Sequence, residues 1–349
     1  MNEKSGIDSL PVEIILDVLS DLTIEDLNGV CKQNKRLRDI CKEHKLTFIK
    51  RFLKKYQVDY KDPHNFIYFD EKLNDFVPQT NDLQKVFDLY LVHYNKSSIM
   101  IKHRNVTSIP IFPKLKKLDC SSNYLTQIPI MPVLQELDCR NNQLTQIQIM
   151  PELQILDCAE NHLTQIPIIP NLEILTLTNN NLTQIPLMPK LKKLYCEVNQ
   201  LIQIPVMPEL QVLYCDENRL TQIGVMPKLE KLVCNFNDLT QIPVMPELQV
   251  LECSETNLTQ IGIMPKLKNL DCAENHLTQI PIMPNLEILS CYSNQLTKIE
   301  QMPKLKELVC YENQLTQVPV MPLLEKIRCD RNVKIPLMPK LVSNNIKRF

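Results

Sequence analysis

The chain has 349 residues, 44% hydrophobic and 23% charged, with a formal net charge of -1. This is the composition of a folded protein long enough for two ordinary domains, and its near neutrality removes any global attraction to nucleic acid or anionic membrane. Four glycines, at 6, 29, 224 and 262, exclude a glycine-rich phosphate cradle, and six scattered histidines leave little for an acid–base site.

In chain order, residues 1–45 come first. They open with acids where a signal peptide is apolar, and nowhere do 18 uncharged apolar residues run together, so a soluble cytoplasmic protein is expected. Pro11 suits a helix start, and Ile14, Ile15, Val18, Leu19 and Leu22 recur with a helical period. The run Leu10-Pro11-Val12-Glu13-Ile14-Ile15-Leu16-Asp17-Val18-Leu19 is followed by Asp26-Leu27 and by Asn34-Lys35-Arg36-Leu37-Arg38-Asp39-Ile40. It resembles an F-box, LPxEIxxxILxxL, then DL, then SKRFRxI, with Leu37 where an aromatic is usual and Lys32-Gln33 where apolar residues often stand. The resemblance implies that Leu10, Pro11, Ile14, Ile15 and Leu27 dock a Skp-type adaptor; the other reading of these residues is a small helical cap.

Residues 46–95 form a helical and irregular connector. Lys32 to Lys55 holds ten basic and two acidic residues beside an apolar stripe of Ile49, Phe52, Leu53 and Tyr56, a helix with one solvated face. The segment 57–78, with Phe66, Tyr68, Phe69 and Phe76, reads as an irregular packed connector, and 82–94 as a helix capping the first repeat.

From 96 onward the sequence repeats. Cysteines recur every 19 residues from 120 to 329, with Leu177 filling the single gap. Each unit reads like Leu134-x-x-Leu137-x-Cys139-x-x-Asn142-x-Leu144-Thr145-Gln146-Ile147, and the next opens Met150-Pro151. This resembles the leucine-rich-repeat consensus LxxLxLxxNxL, and its LTxIPxMP tail resembles the short repeats of bacterial secreted effectors. Alternation around Leu118 and Cys120 dictates a short strand, and stacked strands pair in parallel about 4.8 Å apart. Prolines such as Pro129 and Pro132 forbid a helix in the return half, which should be extended and polyproline-like. The fold class is therefore a repeat solenoid, a horseshoe of about 13 coils over 96–349 with a concave parallel sheet, preceded by a small α-helical module. The repeats should close after Asn332, where Ile335-Pro336 comes too soon. Asp157–Leu175 and Asp271–Leu289 differ only at Ile169 against Met283, so the stack grew by duplication.

Each column has a meaning. Inward cysteines are small buried hydrophobes, reduced and metal-free, so all thirteen thiols are expected free. Asparagines at 123 through 332 form a structural ladder broken at Thr256. Lys190, Glu209, Lys228, Glu247 and Lys266 make an alternating exposed stripe, each pair contributing at most about 1 kcal/mol.

The outward strand positions carry the candidate site. From Asp119 to Arg328, four outward columns hold 15 acids and 7 bases, an acidic concave face that includes Asp138, Asp157, Glu252 and Asp271. Tyr195, Tyr214, Val233 and Phe236 interrupt it as an apolar, mostly aromatic stripe, with Tyr292 and Tyr311 as a second group. Eleven of the nineteen Phe and Tyr residues lie before residue 96, so these few in the repeats are candidate contact residues for a basic protein partner.

An F-box followed by leucine-rich repeats resembles the substrate-recognition subunit of a Skp/cullin-type ubiquitin ligase. The implication is a non-enzymatic adaptor with no cofactor, no metal, no nucleic acid and no membrane, its target held on the concave face. The alternative is a leucine-rich-repeat interaction or effector protein without a ubiquitin link. The uniform repeats and Asn/Ile/Lys-rich character also resemble proteins of giant DNA viruses and their hosts, which implies a host cytoplasm.

Overall fold

The computed structural model describes residues 35–56 and 96–349, together with Val12, Ile15 and two short strands at 69–70 and 75–76. Residues 1–134 and 135–349 form two compact units.

In the first unit, α1 (Lys35–Glu43) and α2 (Lys45–Lys55) replace the single basic helix expected. They meet at His44, whose amide donates to the Ile40 carbonyl and whose carbonyl accepts from Phe48, so the break is slight. Ile15, Leu37, Ile40 and Phe48 are buried together, with Val12 and Cys41 packed partly against them. Leu37, the departure from the F-box pattern, thus occupies a core position.

Within the expected irregular connector, β1 (Phe69–Asp70) pairs antiparallel with β2 (Asp75–Phe76). Two-residue strands are too short to leave a period-2 signal. Most of that connector and the helix expected over 82–94 lie outside the described residues. Further on, Tyr56 at the end of α2 accepts a hydrogen bond from the Ile111 amide at 2.8 Å, tying the helices to the first coil. There β3 (Ser98–Met100) pairs in parallel with β4 (Lys117–Asp119), Ile99 opposite Leu118.

The second unit is a parallel-strand solenoid. Twelve strands run from β5 (Glu136–Asp138) to β16 (Ile346–Arg348), each residue opposite the one 19 further on, as with Tyr195 and Tyr214. Each coil from Leu153 to Met321 buries the same set, for example Leu153, Leu156, Cys158, Leu163, Ile166 and Ile169. At about 1.5–3 kcal/mol per buried aliphatic chain this is a large driving force, realised only when neighbouring coils cover it. Proline then turns the chain: Leu153 donates to the Met150 carbonyl across Pro151, and the bond recurs coil after coil. Proline at the second position of a β-turn presets φ for it.

The asparagine ladder is fully bonded where it exists. Asn161 accepts from the Leu144 amide at 2.9 Å and donates to the carbonyls of Cys139, Cys158 and Ala159. Immediately before each ladder residue the backbone is left-handed, with φ between 49° at Glu255 and 57° at Asn179. The sequence pattern does not announce this turn, because glycine never occupies it.

Two expectations about the end of the chain are corrected. Asn332 is exposed and does not join the ladder, and the sheet does not close there. A short 3-10 turn, Ser343–Asn345, leads into β16, whose Ile346 pairs with Ile327 of β15 (Lys326–Cys329) at the usual 19-residue offset. That last coil lacks the Leu-x-Cys signature, so the repeat pattern cannot reveal it.

The thiol count is corrected as well. The eleven repeat cysteines are free and buried, but Cys41 is disulfide-bonded. The buried-column argument never applied to Cys31 or Cys41, which stand outside the repeat.

Candidate protein-binding surface

Leucine and cysteine alternate inward along each strand, so the residues between them face outward from the sheet. Parallel pairing at a constant 19-residue offset stacks those outward residues into columns.

Tyr195 and Tyr214 are neighbours in one column, their rings stacked 5.2 Å apart at 29°. Both are half-buried. The next residue in the column, Val233, is buried. From the strand edge, the Lys231 ammonium stands 4.8 Å from the Tyr214 ring centroid and 3.8 Å from the Glu252 carboxylate. Phe236 departs from the expected stripe. It sits at the left-handed turn with φ 53°, half exposed at the rim of the sheet.

Tyr292 and Tyr311 form a second stack, 4.8 Å apart and nearly parallel, and Phe349 extends it at 4.5 Å from Tyr311. They belong to the next outward column, two residues beyond that of Tyr195. Burial and the neighbouring Glu274 carboxylate push the Tyr292 phenol up to about 12, and its hydroxyl donates to Glu274 at 3.3 Å.

The acids are not uniform. Asp138 is held by Arg140 at 2.6 Å, and Arg140 also approaches Asp157 at 3.8 Å, so this end of the face is partly neutralised. Asp271 accepts hydrogen bonds from the Ser254 hydroxyl and the Ala273 amide. Beside the tyrosines lie two acids that the sequence reading did not single out, Glu197 and Asp216. Each stands two residues after its tyrosine, which in an extended chain puts it on the same face. Glu197 accepts from the Thr178 hydroxyl at 2.7 Å and Asp216 from the Asn235 amide at 2.8 Å. Burial raises the pKa of Asp157, Glu197, Asp216 and Glu252 above the ordinary carboxylate values. Asp216 adds to the rise at both Glu197 and Glu252 through its negative charge. The centre of the face is therefore a stacked tyrosine pair bordered by half-buried acids that repel one another and gain from a cation.

Catalysis finds no purchase in the cysteine column. Burial pushes the thiols of Cys158, Cys196, Cys215 and Cys253 well above their ordinary range, whereas a reactive cysteine needs an accessible thiolate. Several donate weakly to the next strand, Cys196 to the Tyr214 carbonyl at 3.3 Å among them.

The alternating stripe pairs only in part. Lys228 meets Glu209 at 2.7 Å and Lys266 meets Glu247 at 2.5 Å, but Lys190 binds the Asn171 side chain instead. Of the five residues expected to contact an adaptor, Leu10, Pro11, Ile14 and Leu27 lie outside the described residues. Ile15 is 2% exposed and serves the core of its own module, because it packs with Leu37, Ile40 and Phe48.

Among the described residues, no helix is long and apolar enough to cross a membrane. A search of curated protein sequences found no match. A family model described as Leucine Rich repeats (2 copies) matches residues 132–171. Among solved structures, YopM from Yersinia enterocolitica is 25% identical over 76% of this chain and 68% of its own, with a TM-score of 0.62. YopM from Yersinia pestis, described as a leucine-rich effector protein, is 24% identical over 76% of this chain and 92% of its own, with a TM-score of 0.54. The leucine-rich repeat domain of APL1B shares the fold at 19% identity, with a TM-score of 0.55 over 74% of this chain and 83% of its own. The repeating part of this chain is a parallel-strand solenoid that shares its fold with leucine-rich-repeat proteins.

Proposed function

We propose that the chain is a non-catalytic binding scaffold that holds a basic protein on the outward face of its sheet, centred on Tyr195 and Tyr214. The observation that carries this reading is the stacked tyrosine pair bordered by Glu197, Asp216 and Glu252, whose pKa values burial raises. Rigid aromatic rings offer contact area at small entropic cost, and an arriving lysine or arginine relieves the repulsion among the acids. Likeness to the Yersinia effector structures supports a binding role for the repeats.

In the finer reading, the N-terminal module joins a Skp-type adaptor and cullin, and the bound protein is a ubiquitination target. The Leu10 to Leu27 pattern supports it. In a second reading the module only caps the solenoid and the chain is a plain interaction protein; the burial of Ile15 removes one of the five expected adaptor contacts.

A single experiment separates them. Purified chain is mixed with several eukaryotic Skp-type adaptors, and the Ile14→Asp variant serves as the control. Capture of an adaptor by the wild type, lost in the variant while the repeats melt unchanged, supports the ubiquitin reading. No capture by the wild type supports the cap.

A further inference from the structure

The side of each coil opposite the sheet carries an apolar ridge that the sheet-face reading does not use. The residue two after each inward isoleucine of the tail is aliphatic and about half exposed in eight consecutive coils, from Ile149 and Ile168 through Leu187 and Val225 to Ile263 and Ile282. The ridge recurs in each of these coils. A Cβ placed on Gly262 would stand 2.7 Å from Val244 Cγ2, so Val244 leans over the next coil where glycine replaces the usual proline.

On one flank run exposed Thr and Gln, as at Thr145-Gln146 and Thr278-Gln279. Tail segments from Thr145 to Ile149 and onward through Thr278 to Ile282 contain no ionisable side chain. The first charges on this side are Lys298 and Glu300, which neutralise each other at 2.6 Å. Beside the ridge, Gln260, Gln279 and Ile280 together with the paired Lys298 and Glu300 help to line a groove of about 400 Å³, and a groove of about 300 Å³ lies by Gln146 and Gln165.

We infer that this face is a self-association surface on which a second copy of the chain packs, ridge into groove, about a two-fold axis. Three features identify the occupant. The first is area: eight half-exposed aliphatic residues present on the order of 800 Å², what one partner contributes to a standard interface and more than a monomer usually leaves open. The second is chemistry, since the tails of the eight coils carry no charge and the charges beside them are paired with each other, so the face suits an apolar surface like its own. The third is pitch. The ridge repeats every 19 residues, and a second copy brings the same repeat to the contact, as suits an isologous interface. The alternating Lys228–Glu209 and Lys266–Glu247 pairs border the ridge as a polar rim.

Sedimentation velocity on the full chain between about 1 and 100 µM tests this. The expected species is a dimer that persists in about 1 M NaCl, because apolar burial is not screened by salt. The double variant Leu187→Lys/Val225→Lys, altered only at exposed positions, should weaken association at least about a hundredfold while its thermal melt keeps its shape. Wild-type protein that stays monomeric at about 100 µM overturns the inference, whatever the variant does. So does a dimer that survives both lysines, since it would then use another face.

Discussion

Thr256 stands where the ladder calls for asparagine, and its hydroxyl donates to Asn275 Oδ1 at 2.6 Å. Elsewhere that carboxamide reaches back one coil, its oxygen accepting from a leucine amide and its nitrogen donating to the cysteine carbonyl. Threonine is too short to do either, and its one hydroxyl proton is directed to acceptors within reach, Asn275 Oδ1 in the next coil or the Cys253 carbonyl in its own at 3.1 Å. The Leu239 amide and the Cys234 carbonyl are the groups that lose the carboxamide.

Thr256→Asn should therefore complete the ladder. Supplying a partner to a buried amide is worth about 1–2 kcal/mol, and the neighbouring coils already hold asparagine in this geometry. The expected result is a higher melting temperature by circular dichroism, with loss of protection at Leu239 in the wild type visible by hydrogen exchange. A neutral or lower melting temperature would show that the threonine geometry is already satisfied.

Val198 adopts φ 53°, in the left-handed region where a β-branched side chain crowds its own backbone. The equivalent residues Asn141 and Asn179 adopt the same conformation with a side chain that tolerates it. Val198→Asn is expected to stabilise by about 1 kcal/mol, read from urea denaturation. A loss of stability would mean that the exposed Val198 side chain contributes packing that outweighs the strain.

The half-buried acids beside the tyrosines give a pH dependence of definite sign. Burial raises the folded pKa of Asp216 above 3.8 and of Glu197 and Glu252 above 4.5. The folded state then holds protons more tightly than the unfolded one. The contribution of these groups is fully present below the ordinary values and is lost as pH rises through the folded pKa values. Asp216→Asn keeps an oxygen for the Asn235 amide and removes the charge. It should raise stability at pH 7 by at most about 1 kcal/mol and flatten the dependence above the ordinary aspartate range. Melting curves from pH 4 to 7 check this; a variant less stable at pH 7 would show that the carboxylate is a net stabiliser.

How far the sequence carried depended on whether a feature repeats. Leu137-x-Cys139 and Asn142 recur at a fixed offset and declare strand, core and ladder, so the solenoid and the inward cysteines were legible. The left-handed turn was hidden because Glu160, Glu217 and Phe236 occupy it without glycine. Phe236 was consequently grouped with the outward stripe of Tyr195 and Tyr214. Glu197 and Asp216 were counted among the outward acids but not singled out, though their two-residue spacing from Tyr195 and Tyr214 was available. The apolar ridge was missed for a different reason: within one unit, Ile149 beside buried Ile147 and Met150 reads as more core, and only exposure separates them. Strand β16 escaped because it closes the stack without the repeat's side chains.

The tyrosine pair is the most direct test of the binding account. Once a basic protein has been captured by the wild-type chain, its association and dissociation rates are measured on the wild type and on Tyr195→Ala/Tyr214→Ala. The account predicts a nearly unchanged association rate and a dissociation rate at least about thirtyfold faster, equivalent to about 2 kcal/mol. Unchanged rates in a double variant that still melts cooperatively would contradict it and place the partner on another surface.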